Sequence, residues 1–191
     1  MSQKRQHLID TALALFYRHG IHAIGINEVI ASSGVAKRTL YTHFDSKEAL
    51  VLATLAQRHE AFIDWLRQCL SGSTNDTETV ERVFDALHRW FTGGAAPLGP
   101  FRGCFFIHTA GEFGDPNSAI AQYCQYHKQA VRALIGESLS ETHPGLLEAL
   151  SVLMEGAIVS VSMGESSEQI TQRCVMMLQA VIVATTDQAT P

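Results

Sequence analysis

Six residues in one short run carry the chemistry that a polyanion needs. Lys37, Arg38, Thr39, Tyr41, His43 and Lys47 supply cationic, hydroxyl and imidazole groups. Lys and Arg pair with phosphates and read the O6 and N7 edge of guanine, and hydroxyls meet phosphates or a thymine methyl. Leu40 and Phe44 lie at i and i+4, so they anchor the other side of the same short helix in a core. A helix this short, apolar on one face and charged on the other, is poor packing material. It suits a part that enters a DNA groove, with Lys37 and Arg38 early enough to meet bases and Tyr41, His43 and Lys47 placed for phosphates.

The elements that must hold this run are legible around it. Leu8, Ala12, Leu15 and Phe16 mark one face of a first helix, ended by Gly20. Ile26, Val29 and Ile30 mark a short second helix, and Ser32-Ser33-Gly34 is the turn into the third. Asp45 offers an N-cap oxygen, and Glu48 closes a capping box, for a long fourth helix running to Leu70. Asn75 with Glu78 caps a fifth. A short apolar helix follows over 103–111, and Asp115-Pro116 starts the next, with Pro at the first helical position. Two more run over 146–164 and 167–185, the second capped by Ser166 and Gln169. The pattern predicts nine helices and no strand, an all-α chain.

The block from Gly34 to Leu50, GVAKRTLYTHFDSKEAL, resembles the DNA-binding end of the TetR family of bacterial transcriptional regulators. The hallmark G-V-x-x-x-x-L/F-Y-x-H/Y-F-x-x-K-x-x-L stands here as Gly34, Val35, Leu40, Tyr41, His43, Phe44, Lys47 and Leu50. The resemblance covers residues 4–55. It implies an N-terminal three-helix helix-turn-helix DNA-binding domain over 1–46 and a C-terminal helical effector-binding and dimerisation domain over 47–191. It further implies a homodimeric repressor on a palindromic double-stranded DNA operator, released when a small-molecule effector tilts the fourth helix. One departure stands out. Many members carry a Thr or Ser pair before the second helix, where this chain has Ile24 and Gly25, which bring no capping hydroxyl.

Composition agrees with that division. Residues 1–50 hold six Lys or Arg against four Asp or Glu, and the remainder holds eight against fifteen. A polyanion is drawn to the first part and repelled by the second. No apolar run reaches the roughly 18 residues of a membrane span, and the N-terminus lacks a signal-peptide centre, so no membrane partner and a cytoplasmic location are expected. Paired carboxylates, nucleophile–base pairs and metal-ligand spacings do not occur, which argues against an enzyme, a metal site or a cofactor. The four cysteines, Cys69, Cys104, Cys124 and Cys174, form no CxxC pair.

The second part is expected to do two jobs. An apolar cavity for a small apolar or aromatic effector would draw on Phe62, Trp65, Trp90, Phe91, Phe105, His108, Tyr123, His127 and Met154. The resemblance implies that the last two helices pair with their copies in a four-helix bundle, with Ala157 and Leu178 as positions where a charge would split the dimer. The stretch FRGCFFIHTAGEFGDP, residues 101–116, resembles a G-C-x-x-x-x-x-x-x-E-F run found in one branch of the family. Cys104 at the start of its helix, beside Arg102, is a redox candidate, giving the alternative of a thiol-based oxidant or electrophile sensor.

Overall fold

The computed structural model describes residues 2–188. Nine α-helices occur among them: α1 Gln3–His19, α2 Ile26–Ser33, α3 Lys37–His43, α4 Lys47–Leu70, α5 Asp76–Phe91, α6 Phe105–Glu112, α7 Ala119–Gly136, α8 Leu146–Ser162 and α9 Ser167–Gln188. A single 3₁₀ turn, Ala96–Leu98, lies between α5 and α6. Among the described residues there is no strand, and no helix is long and apolar enough to cross a membrane.

The chain divides into two compact units. One takes in the chain to Glu60 together with Cys104–His127, and the other takes in Ala61–Gly103 and the chain from Lys128 onward. The helices α4 and α7 each run from one unit into the other.

In the first unit α1 buries Leu8, Ile9, Ala12 and Phe16 and packs on α2 and α3. Val29 of α2, Leu40 of α3, Phe44 and Leu50 close the same core. The joint between α2 and α3 depends on Gly34. It sits at φ +66°, where a side chain is strained, and its N–H donates to the Ile30 carbonyl at 3.0 Å.

In the second unit α5 packs against α8 and α9, and α8 packs against α9. The Asn75 side chain caps α5 by accepting from the Glu78 N–H at 2.9 Å. The Glu78 carboxylate accepts in return from the Thr74 N–H, and the Arg82 guanidinium, helped by that bond, holds the Glu78 pKa down at about 2. Val80, Val83, Phe84, Leu87, Leu146, Leu150, Ile158 and Leu178 fill the core.

Two helix caps differ from those the sequence predicts. Ser46, not Asp45, caps α4, its hydroxyl accepting from the Ala49 N–H at 3.1 Å. Asp115-Pro116 does not open α7, because the Asp115 carboxylate is taken by the Asn117 N–H at 2.9 Å in a local turn. Ser118 is the cap, accepting from the Ala121 N–H at 3.2 Å.

Candidate nucleic-acid interface

The third helix presents the two-faced pattern that its sequence implies. Leu40 and Phe44 are buried, whereas Lys37, Arg38, Tyr41 and Thr42 are exposed and Thr39 and His43 are half-buried. Tyr41 keeps 45% of its surface open, unusual for an aromatic side chain with no role at the surface. Two neighbours stiffen the helix and were not singled out from sequence. Arg5 places its guanidinium 5.1 Å from the centre of the Phe44 ring, and the Thr42 hydroxyl donates to the Arg38 carbonyl at 2.9 Å. From α1, His7 reaches the Ser33 carbonyl at 3.0 Å, next to the α2–α3 joint. As expected, α2 has no side-chain cap, with Gly25 at that position.

Lys47 points elsewhere. Its ammonium donates to the Ile21 carbonyl at 2.6 Å and lies 6.0 Å from the centre of the Phe16 ring. It is half-buried and ties the start of α4 to the turn after α1.

The residues proposed for an effector fall into two groups. In the second unit Phe62, Trp65, Trp90 and Phe91 come together, with Trp90 5.5 Å from Phe62 and 6.3 Å from Trp65 between ring centres. Phe101, not foreseen, joins them edge-on at 4.9 Å from Trp90. Met154 is buried on α8 of the same unit. In the first unit His127 is buried and stacked on Phe106 at 3.5 Å, and its Nδ1 lies 3.1 Å from Nδ1 of His59. Tyr123 meets His59 edge-on, and Phe105 meets Tyr17. Burial holds His59 below its ordinary pKa, with Glu60 opposing. His108 joins neither group, because it falls on the exposed face of α6.

Cys104 stands at the N-cap of α6 and is buried. Arg58 of α4, only 5% exposed, interacts electrostatically with it. Burial lowers the Arg58 pKa, and the Tyr17 phenol and the Cys104 thiol oppose that shift. Burial pushes the thiols of Cys69 and Cys174 up.

On α8 and α9 the large apolar side chains left in the open are Val152, Val159 and Met163, and Met176, Met177 and Val183. Ala157 and Leu178 are 2% and 0% exposed, so they belong to the core of their own unit and not to a partner face. On α8, and on the apolar second half of α9, spacing alone does not tell inner from outer positions.

An all-helical chain whose N-terminal end carries a helix-turn-helix with an exposed cationic third helix has the build of a DNA-binding regulatory protein. The profile of the bacterial regulatory proteins of the tetR family matches residues 8–54. Over 188 residues the chain is 25% identical to the HTH-type transcriptional repressor ComR of Escherichia coli (strain K12), covering 88% of this chain and 84% of ComR. Over 85 residues it is 32% identical to the HTH-type transcriptional activator FasR of Mycolicibacterium smegmatis; this covers 44% of this chain but only 39% of FasR. The crystal structure of SCO4454, a TetR-family transcriptional regulator from Streptomyces coelicolor, matches with a TM-score of 0.82 at 25% identity over 95% of each chain. Residues 8–54 thus match the TetR family of bacterial regulatory proteins, and the chain resembles a TetR-family regulator in fold over nearly its whole length.

Proposed function

We propose that this chain is a homodimeric repressor that reads a palindromic DNA operator with α3 and leaves it when a small apolar or aromatic molecule binds. The observation that carries the reading is the exposed row Lys37, Arg38 and Tyr41 on a helix anchored by buried Leu40 and Phe44. Lys37 and Arg38 lie in the first turn, where a recognition helix meets base edges. Thr39, Tyr41 and His43 serve phosphates. Lys47 contributes mainly by fixing the α1–α2 turn, its remaining ammonium protons being available to a phosphate.

The exposed Val152, Val159, Met163, Met176, Met177 and Val183 support the dimer, since apolar surface of this kind favours a second copy. Repression rather than activation follows the likeness to ComR, which spans most of both chains. For the effector, the clustered Phe62, Trp65 and Trp90 favour a flat apolar molecule. Selection from a random pool of duplexes tests the reading. The expected product is a palindrome with half-sites about one helical turn apart; a pool that stays unenriched sinks it.

A second reading rests on the place of Cys104 at the start of α6. Cys104 is the N-cap of that helix, so an electrophile that modified it would act at the helix start and release the DNA. Iodoacetamide labelling of the native protein separates the two. If Cys104 labels before the other three thiols, the thiol reading gains; if it labels last, the reversible effector stands.

A further inference from the structure

The turn that joins α1 to α2 is gripped from both sides. The Glu112 carboxylate, at the end of α6, accepts from the Ile21 N–H at 2.8 Å and from the His22 N–H at 2.6 Å. The Lys47 ammonium, at the start of α4, donates to the Ile21 carbonyl at 2.6 Å. Ile21 itself is fully buried. Bonds with one ionised partner are shorter and stronger than neutral ones. Next in sequence, the Phe113 ring lies against the His22 ring, with centres 4.9 Å apart. Gly20 sits at φ +86°, and a Cβ there would come within 3.3 Å of a Glu112 oxygen. At the other end of α6, Phe105 meets Tyr17 of α1 edge-on at 5.9 Å, so α6 splints both α1 and the turn that follows it.

These are the Glu-Phe pair of the 101–116 stretch, and neither a DNA contact nor an effector pocket accounts for them. We infer that Glu112 is a positioning residue for operator recognition: through its two bonds to the α1–α2 turn, α6 fixes where α2 and α3 stand. The inference rests on the reading of α3 as the DNA-contacting helix. While the clamp is closed, the helix-turn-helix has one placement. When α6 shifts, Ile21 and His22 lose their acceptor and the turn gains freedom. Backbone-only attraction to DNA needs charge near phosphates and tolerates that freedom, whereas base reading needs α3 in register.

The test uses the full chain and a duplex that the wild type selects from a random pool. Glu112→Ala is expected to weaken binding to that duplex at least tenfold, while binding to an unrelated duplex of equal length changes less than twofold. Glu112→Gln, which keeps one accepting oxygen, should fall between. Gly20→Ala, which disturbs the clamp from the other side, should act in the same direction. If Glu112→Ala does not fold, amide exchange at Ile21 and His22 in Glu112→Gln decides, with at least tenfold faster exchange expected. Equal losses on both duplexes, unchanged selectivity, or unchanged exchange would each overturn the inference. A wild-type protein that selects no duplex brings down the DNA reading itself, which is a different result from a selective wild type with indifferent Glu112 variants.

Discussion

Two surfaces of this chain are left open, and they differ in kind. On α3 the exposed side chains are Lys37, Arg38, Tyr41 and Thr42; on α8 and α9 they include large apolar ones, Val152, Val159, Met176, Met177 and Val183, among polar neighbours such as Glu148, Gln172 and Arg173. Met163 is 80% exposed and Met176 68%, more than Tyr41. A cationic face seeks a polyanion, and its attraction weakens steeply with salt. An apolar face seeks another apolar face, and its attraction barely notices salt. The difference supports the proposal that one surface serves DNA and the other a second copy of the chain.

The largest effect is expected where both surfaces depend on each other. Val159→Glu combined with Met177→Glu should place charges in the apolar face, yield monomers in sedimentation, and weaken operator binding by about a hundredfold or more, because a palindrome is read by two copies. The same double change should lower the melting midpoint only by what dimerisation contributed, and leave the helical content unchanged. A dimer that survives it would break the contrast between the two faces.

Next in size come the first-turn residues of α3. Lys37→Ala or Arg38→Ala should cost about 1–3 kcal/mol at the operator and relax preference at one base pair each, read by gel shift against mutated duplexes. Tyr41→Phe should instead weaken all sequences alike, by about 1 kcal/mol. If the Lys37 and Arg38 variants keep their preference, the bases are read elsewhere.

Lys47→Met sharpens the comparison from inside. A lysine serving only phosphates would change the salt dependence and leave stability alone. Bonded to the Ile21 carbonyl, it should also lower stability, by about 1–3 kcal/mol in denaturant unfolding.

The smallest effect is a pH dependence. Burial holds His59 below the ordinary value of 6.5, so the unfolded chain takes up the proton first. The contribution of His59 is therefore fully present above pH 6.5 and declines as the pH falls through its lower folded value. Thermal melts from pH 7.5 to 5 should show that decline, and His59→Asn should flatten it.

Most of the fold was legible because its signals are local. Helical spacing and the caps at Asn75 and Ser166 depend on neighbours within one turn of helix. The two changed caps came from competition between nearby oxygens: Ser46 displaced Asp45, and Ser118 displaced Asp115. The face of α3 was legible for the same local reason. Lys47 was not, because its partner Ile21 lies 26 residues away. Nothing in a lysine at a helix start says that it turns inward. Nor could spacing separate Ala157 and Leu178 from Val159 and Met177, since only packing decides which side of an apolar helix is covered.

Gly20 and Glu112 also bind the chain's history. They lie far apart in sequence, yet a Cβ at one crowds the carboxylate of the other. A mutation at Gly20 meets two penalties at once, a strained backbone and a displaced acid, so drift at either position is checked by the other. Across related chains the two should therefore change together or not at all. A lineage that abandons the acid should also be free to abandon Lys47, whose hold on the Ile21 carbonyl is then one half of a grip that no longer closes.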